Sequence, residues 1–379
     1  MMGRMSSLFP IHVYADRLTR AANAAQMAGL DGLIFGTGAE LAYLTGSWIS
    51  THERLTALII PTVGKPTLVL PAVDRGDLAL SAIPELDIEV RGWVDGERPH
   101  ELAIAALGSL SDAPTIGIGA SLTADHVLPL QALLGGSTVL AGGVLKELFM
   151  RKDAAEISAL REAGAAIDRV HSMVPELLLV GRTEAQVAQE LERLILQEHS
   201  KVDFIIVGSG PNGANPHHSF SERVLELGDV VVVDIGGTFG PGYHSDCTRT
   251  YIVGGPKQTV NDPDFLYLYQ VLEQAQAEAV RAVRPGVTAA SIDAVARDII
   301  TAAGFGEDFI HRTGHGIGLS LHEEPFIMAG NELVLEPGMA FSVEPGIYLE
   351  GRVGARIEDI IIVTDSGCES VNNQPHGLQ

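Results

Sequence analysis

The N-terminal part of the chain alternates helix-like and strand-like hydrophobic patterns. Residues 16–28 place apolar side chains at helical spacing and stop at Gly29, a natural cap. DGLIFG (31–36) then has the form of a short buried strand. LTALIIP (55–61) and PTLVLP (66–71) predict two more, joined through VGK in a hairpin-like connection. PTIGIGA (114–120) and STVLAG (137–142) bracket a helical stretch over 124–134. Such alternation predicts a small sheet with helices packed on it. GTGAE (36–40) has neither a GxGxxG spacing nor a P-loop lysine, so it is expected to be a turn between elements. No catalytic motif stands out in this half.

A charged helix, predicted over 151–170, follows the apolar AGGVLKELFM (141–150). The domain boundary is therefore expected near residue 147, giving an N-terminal β/α domain over 1–146 and a second domain over 147–379. Within the second domain the pattern recurs. Leu160-Arg-Glu-Ala163 matches Leu272-Glu-Gln-Ala275, and Gly181-Arg-Thr183 matches Gly286-Val-Thr288. His217 and His322 each stand 36 residues after the matching glycine. LELGDVVVVD (225–234) matches LEPGMAFSVE (335–344), each with a carboxylate at the end of a predicted strand. Four matches in one order predict two copies of a helix–helix–strand unit, each supplying half of a shared site.

Composition narrows the class. Of 379 residues, 46% are hydrophobic and 19% charged, enough apolar material for a buried core. A net charge of −23 argues against a nucleic-acid backbone or an anionic membrane surface as partner. Cys247 and Cys368 cannot build a disulfide framework, which fits a reducing cytoplasm. No apolar run approaches the ~20 residues that span a bilayer, and the opening MMGRMSSLFP lacks a signal-peptide core. The expectation is a cytoplasmic protein.

Candidate chemistry lies in two hairpin-like segments. Pairing VVVVDIGGTFGPGYHSDCTRTYIV (230–253) about position 240 puts Asp234 opposite Asp246. Pairing FSVEPGIYLEGRVGARIEDIIIV (341–363) about Gly351 puts Glu344 opposite Glu358. Opposed residues on antiparallel strands have Cβ atoms only ~4.5–5.5 Å apart. Carboxylates that close among valines and isoleucines repel one another unless cations neutralise them. HRTGHGIGLSLHEEP (311–325) adds His315, flanked by glycines that let backbone approach a ligand. Four carboxylates and one imidazole without a thiolate suit Mn²⁺, with Co²⁺, Fe²⁺ or Zn²⁺ as alternatives, and so many acids imply two bridged ions. His217, in GSGPNGANPHHSF (208–220), is selected over His218 by the repeat.

The motifs DIGG…HSDCTRT, HRTGHGIGL, VEPG and RIED, in this order, resemble those of the pita-bread metallopeptidases. That family includes methionine aminopeptidase, aminopeptidase P, Xaa-Pro dipeptidase and creatinase; the resemblance covers residues 150–365. It implies an α/β (α+β) architecture, a creatinase-like N-terminal domain before a pita-bread domain with a pseudo-two-fold repeat. It also implies two divalent ions per chain, Asp234 on one, His315 and Glu344 on the other, Asp246 and Glu358 bridging. By resemblance Glu344 is general base then acid, His322 stabilises developing charge, and His217 positions the proton at the scissile nitrogen. His311 and Arg356 would line the substrate side or orient the ligands. The long N-terminal half points to the proline-specific branch, acting on short proline-containing peptides as a homodimer or tetramer. There the N-terminal domain serves dimerisation and substrate access, with Trp48, His52 and Arg54 as candidate contributors. The chain's length favours the Xaa-Pro dipeptidase over aminopeptidase P. Some dipeptidases carry an arginine four residues after the equivalent of His322, but here that position is Phe326. Readings from other classes are an actin-like ATP-binding protein, from the glycines of VDIGGT, and a scaffold without turnover.

Overall fold

The computed structural model describes residues 8–378. Residues 1–7, which begin the stretch inspected for a signal sequence, lie outside the described residues. The chain divides into two compact units between Phe149 and Met150. Among the described residues no helix is long and apolar enough to cross a membrane.

The first unit runs α1 (Ile11–Met27), β1 (Gly32–Phe35), α2 (Ala39–Thr45), β2 (Ala57–Pro61), β3 (Thr67–Pro71) and β4 (Glu89–Trp93), then α3 (Pro99–Ala106), β5 (Thr115–Ile118), α4 (Ala124–Leu134), β6 (Ser137–Leu140) and α5 (Gly142–Met150). Its six strands lie in the order β4-β3-β2-β1-β5-β6. The β2–β3 hairpin is antiparallel, whereas β5 and β6 run parallel to β1 through helical crossovers. α1 begins five residues before the predicted start, because Tyr14 shares the buried stripe of Arg17, Leu18, Ala21 and Ala25. The predicted turn at GTGAE is shorter than expected. Gly38, at φ 119°, turns the chain, and Ala39 and Glu40 already open α2. β4 escaped the pattern because most of its side chains are charged or half-exposed.

The second unit contains α6 (Ala154–His171), α7 (Val174–Leu177), α8 (Glu184–Glu198), β7 (Lys201–Ser209), β8 (Val230–Phe239), β9 (Tyr243–His244) and β10 (Cys247–Ile252). It continues with α9 (Phe265–Ala282), α10 (Ala289–Ala302), β11 (Gly314–Gly316), β12 (Glu323–Ile327), β13 (Ala340–Val343), β14 (Gly346–Leu349), β15 (Val353–Arg356), β16 (Asp359–Val363) and β17 (Cys368–Ser370). α6 starts three residues later than predicted, where the Asp153 carboxylate accepts the N–H groups of Ala155 and Glu156 in a capping box.

The sequence repeat is a repeat in space. Thr183 caps α8 and Thr288 caps α10, each through its hydroxyl. Gly181 and Gly286 both adopt φ 89° and donate to Leu225 O and Leu335 O, at 3.0 and 2.9 Å. Leu160 and Ala163 on α6, and Leu272 and Ala275 on α9, are buried. Each half closes its own apolar core beneath its own sheet, β10-β8-β7 in one and β12-β11-β13-β16-β17 in the other.

The first hairpin corrects the predicted register. Asp234 faces Thr248, and Asp246 lies diagonally across, before β10 begins. The turn centres on Pro241, one residue beyond the expected centre, because Gly240 and Gly242 on either side take φ 53° and 115°. In the second hairpin both ladders, β13–β16 and β14–β15, keep the register centred on Gly351, with Glu344 and Glu358 between them. The DIGGT glycines lie inside β8 rather than in a phosphate-binding loop. A Cβ at Gly236 would come within 2.5 Å of Phe204 and of Ser245 O, so close packing explains that glycine. This removes the basis for an actin-like reading.

Candidate metal centre

The sheets of the second unit bring the candidate donors to one place. Asp234 projects from β8, Asp246 precedes β10, and His315 is the middle residue of β11. Glu344 follows β13 and Glu358 precedes β16. Their donor atoms form overlapping groups, each within 4.8 Å: Asp234–Asp246–Glu358, His315–Glu344–Glu358 and Asp246–His315–His322. They line a cavity of about 870 Å³ together with His217, His311, Arg312, His322 and Arg356, against an apolar wall that includes Phe204, Ile206 and Phe220.

Tertiary contacts fix each donor. Arg356 is buried, and its Nη2 donates to Asp234 Oδ2 at 2.6 Å. Its Nε donates to Thr248 Oγ1 (3.1 Å) and its Nη1 to the Tyr348 hydroxyl (2.8 Å). Thr248 Oγ1 in turn donates to Glu358 Oε2 at 2.8 Å. Ser342 Oγ donates to Glu344 Oε1 at 2.9 Å and accepts the His315 N–H at 3.0 Å. Behind the cluster, buried Arg249 pairs with Asp359 at 2.7 Å and donates to the Glu358 carbonyl at 2.6 Å. From α10, Asp293 holds Thr313, and Arg297 donates to the carbonyls of Phe309 and His311. The glycine-rich strand is thereby clamped from its own half of the repeat.

The donor set fits divalent cations. His315 Nδ1 donates to Gly316 O at 3.0 Å, which leaves the Nε2 lone pair facing Glu344 Oε1 at 3.2 Å and Asp246 Oδ2 at 3.6 Å. A lone pair and two carboxylate oxygens that close require a proton or a metal ion between them. Burial holds His315 at about 4, far below the ordinary histidine range, so the imidazole itself does not carry that proton at neutral pH. Among the described residues, buried Asp234 Oδ1 has no hydrogen-bond partner. Burial, then the charges of Asp234 and Glu344, push Asp246 well above the usual carboxylate range, and burial with the Asp246 charge does the same to Glu358. Burial also raises Glu344. A cation among these groups reverses that logic, since it stabilises each carboxylate it touches.

The histidines separate into distinct environments. His322 packs against His315 with ring centroids 3.9 Å apart and planes tilted by 43°; burial and then His315 lower it to about 4, leaving a neutral imidazole at pH 7. His311 donates from Nδ1 to Arg312 O (2.7 Å), and its Nε2 accepts from the Tyr348 hydroxyl at 2.9 Å. His217 is exposed and lines the cavity, whereas His218 is tied at 2.8 Å to buried Glu184. Trp48, His52 and Arg54 belong to the first unit, where Arg54 forms a two-point pair with Asp95. Tyr348, Thr248, Ser342 and Arg312 were not singled out from sequence. A signal existed for the first three: each lies an even number of residues from a candidate carboxylate on the same strand run, and so on the same face.

Paired acids, a glycine-flanked histidine and a twofold helix–helix–strand unit define a metal-dependent peptidase of the pita-bread class. The model of metallopeptidase family M24 matches residues 158–365, and that of the creatinase/prolidase N-terminal domain matches 17–148. The chain belongs to metallopeptidase family M24 and is an enzyme, a peptidase. It is 55% identical to the probable dipeptidase PepE of Mycobacterium tuberculosis over 374 residues, 98% of either chain. It is 36% identical to the Xaa-Pro dipeptidase of Lactobacillus helveticus, over 89% of this chain and 92% of that one. The crystal structure of dipeptidase PepE from Mycobacterium ulcerans superposes with a TM-score of 0.93 at 55% identity, covering 98% and 99%.

Proposed function

We propose that the protein is a metal-dependent exopeptidase that hydrolyses the Xaa-Pro bond of dipeptides. The observation that carries this reading is the His315 Nε2 lone pair directed at two carboxylate side chains within a cluster of four acids, a donor set that a divalent cation would satisfy. Two ions, Mn²⁺ first among candidates, would be held by Asp234, Asp246, His315, Glu344 and Glu358; Asp246 and Glu358, each found in two donor groups and able to offer two oxygens, would be shared. When bound, such ions supply Lewis acidity toward the scissile carbonyl and toward water. Glu344 orients the attacking water, takes its proton and passes it to the departing nitrogen. His322, neutral at pH 7, donates to the oxygen that gains charge, and His217 positions the proton at the scissile nitrogen. Arg356 holds Asp234, and through Tyr348 it orients His311 on the substrate side. A proline nitrogen carries no N–H, so a site that works through the carbonyl and a proton relay suits that bond.

The first unit is assigned to dimerisation and substrate access, and the two free cysteines agree with a reducing cytoplasm. The test is hydrolysis of Ala-Pro and Ala-Pro-Ala by chelator-treated and Mn²⁺-reloaded enzyme. Metal-dependent cleavage with Ala-Pro preferred is expected. Preference for Ala-Pro-Ala would transfer the enzyme to the aminopeptidase P reading. Fully metallated protein inert on both would leave a binding scaffold.

A further inference from the structure

The cavity contains two guanidinium groups in opposite circumstances. Arg356 is buried and its charge is answered by Asp234 at 2.6 Å. Arg312 is half-buried and, among the described residues, has no carboxylate within ion-pair distance. Its guanidinium carbon stands 4.4 Å over the ring of Phe326, and its Nη2 lies 3.5 Å from His322 Nδ1. A cation over an aromatic face is attracted to it, and that contact leaves N–H groups of the guanidinium open to a planar acceptor. The backbone beneath is immobilised: His311 O accepts from Arg297 Nη2 at 2.9 Å, Arg312 O accepts from His311 Nδ1, and Thr313 N donates to Asp293. From the donor cluster outward the order is His315, His322, Arg312. In a dipeptide the terminal carboxylate lies one residue beyond the scissile bond, a Cα spacing of about 3.8 Å.

We propose that Arg312, held over the ring of Phe326, receives the free C-terminal carboxylate of the substrate. This inference rests on the dipeptidase reading. The phenyl ring at position 326, where some dipeptidases carry an arginine, serves here as the shelf for a guanidinium supplied from the HRTGHG strand. A carboxylate on that fork selects dipeptides, because a longer peptide presents a neutral amide at the same place and leaves the cation unpaired.

The experiment compares Ala-Pro with Ala-Pro amide on Mn²⁺-loaded wild type and on Arg312→Gln, Arg312→Lys and Phe326→Ala, with metal content and circular dichroism verified for each. Wild type is expected to prefer the free acid by about 10- to 100-fold in kcat/KM, the range for a charged hydrogen bond. Arg312→Gln should erase that ratio, mainly through KM, while Arg312→Lys keeps part of it. Phe326→Ala should lower it without altering charge. A preference that survives Arg312→Gln, or an equal loss on both substrates, overturns the assignment while leaving the dipeptidase reading intact. Dependence on Arg312 seen only with Asp-Pro amide would also overturn it, since the guanidinium would then recognise a side-chain carboxylate. A metallated wild type that ignores Ala-Pro overturns the dipeptidase reading itself.

Discussion

Replacing Arg356 by methionine tests whether the centre is organised as described. The Arg356 and Asp234 side chains are only 4% and 11% exposed, and Asp234 Oδ1 has no donor among the described residues. Removing one partner of a buried ion pair costs about 3–5 kcal/mol, because the remaining charge is stranded. Methionine restores packing along the stem, so the lower end, about 3 kcal/mol, is expected for the metal-stripped protein. For a chain of this size the urea slope is about 3 kcal/mol per molar or more, so the midpoint falls by up to about 1 M. Both tryptophans, Trp48 and Trp93, lie in the first unit, so far-UV circular dichroism rather than tryptophan fluorescence must follow the transition. A double-mutant cycle isolates the pair: in an Asp234→Asn background the same change should cost roughly 2–3 kcal/mol less. A coupling below about 1 kcal/mol would refute the claim that Arg356 acts chiefly by neutralising Asp234.

Three further outcomes are expected. His322→Ala should retain metal by elemental analysis and lose about 100- to 1000-fold in kcat, as when a charge-stabilising donor is removed; unchanged turnover would remove His322 from the chemistry. Glu358→Ala should lose bound metal and activity together, and an inactive variant still carrying two ions per chain would contradict the bridging role. Acid stability should fall for a reason outside the site. His171 is buried, with Tyr251 on Nδ1 and Cys247 O on Nε2, and burial depresses it to about 3. The unfolded chain takes up this proton below about pH 6.5 and the folded chain only near 3, so stability rises with pH across that window. The contribution, up to about 5 kcal/mol, is complete above pH 6.5 and lost progressively as pH falls to 3. Urea titrations at several pH values should show a slope reduced by about one proton in His171→Gln; an identical slope would discard the assignment.

Local pattern alone determined much of this protein. The helix over residues 124–134, the β2–β3 hairpin and both copies of the Gly-x-Thr helix start follow from rules that act within a few residues: hydrophobic period, capping and turn preference. Four candidate carboxylates, from paired acids beside valine and isoleucine runs, and His315, from its flanking glycines, were singled out in the sequence, and the structure brings their donor atoms together. Tertiary structure alone decided the first hairpin's register, where two left-handed glycines moved the turn to Pro241 and carried Asp246 off its expected partner. It alone showed that Arg356 answers Asp234 across 122 residues and that Arg312 stands over Phe326 with no such partner among the described residues. Those relations lie outside any local rule, since which charge is buried against which depends on how separate strands are brought together by the core beneath them.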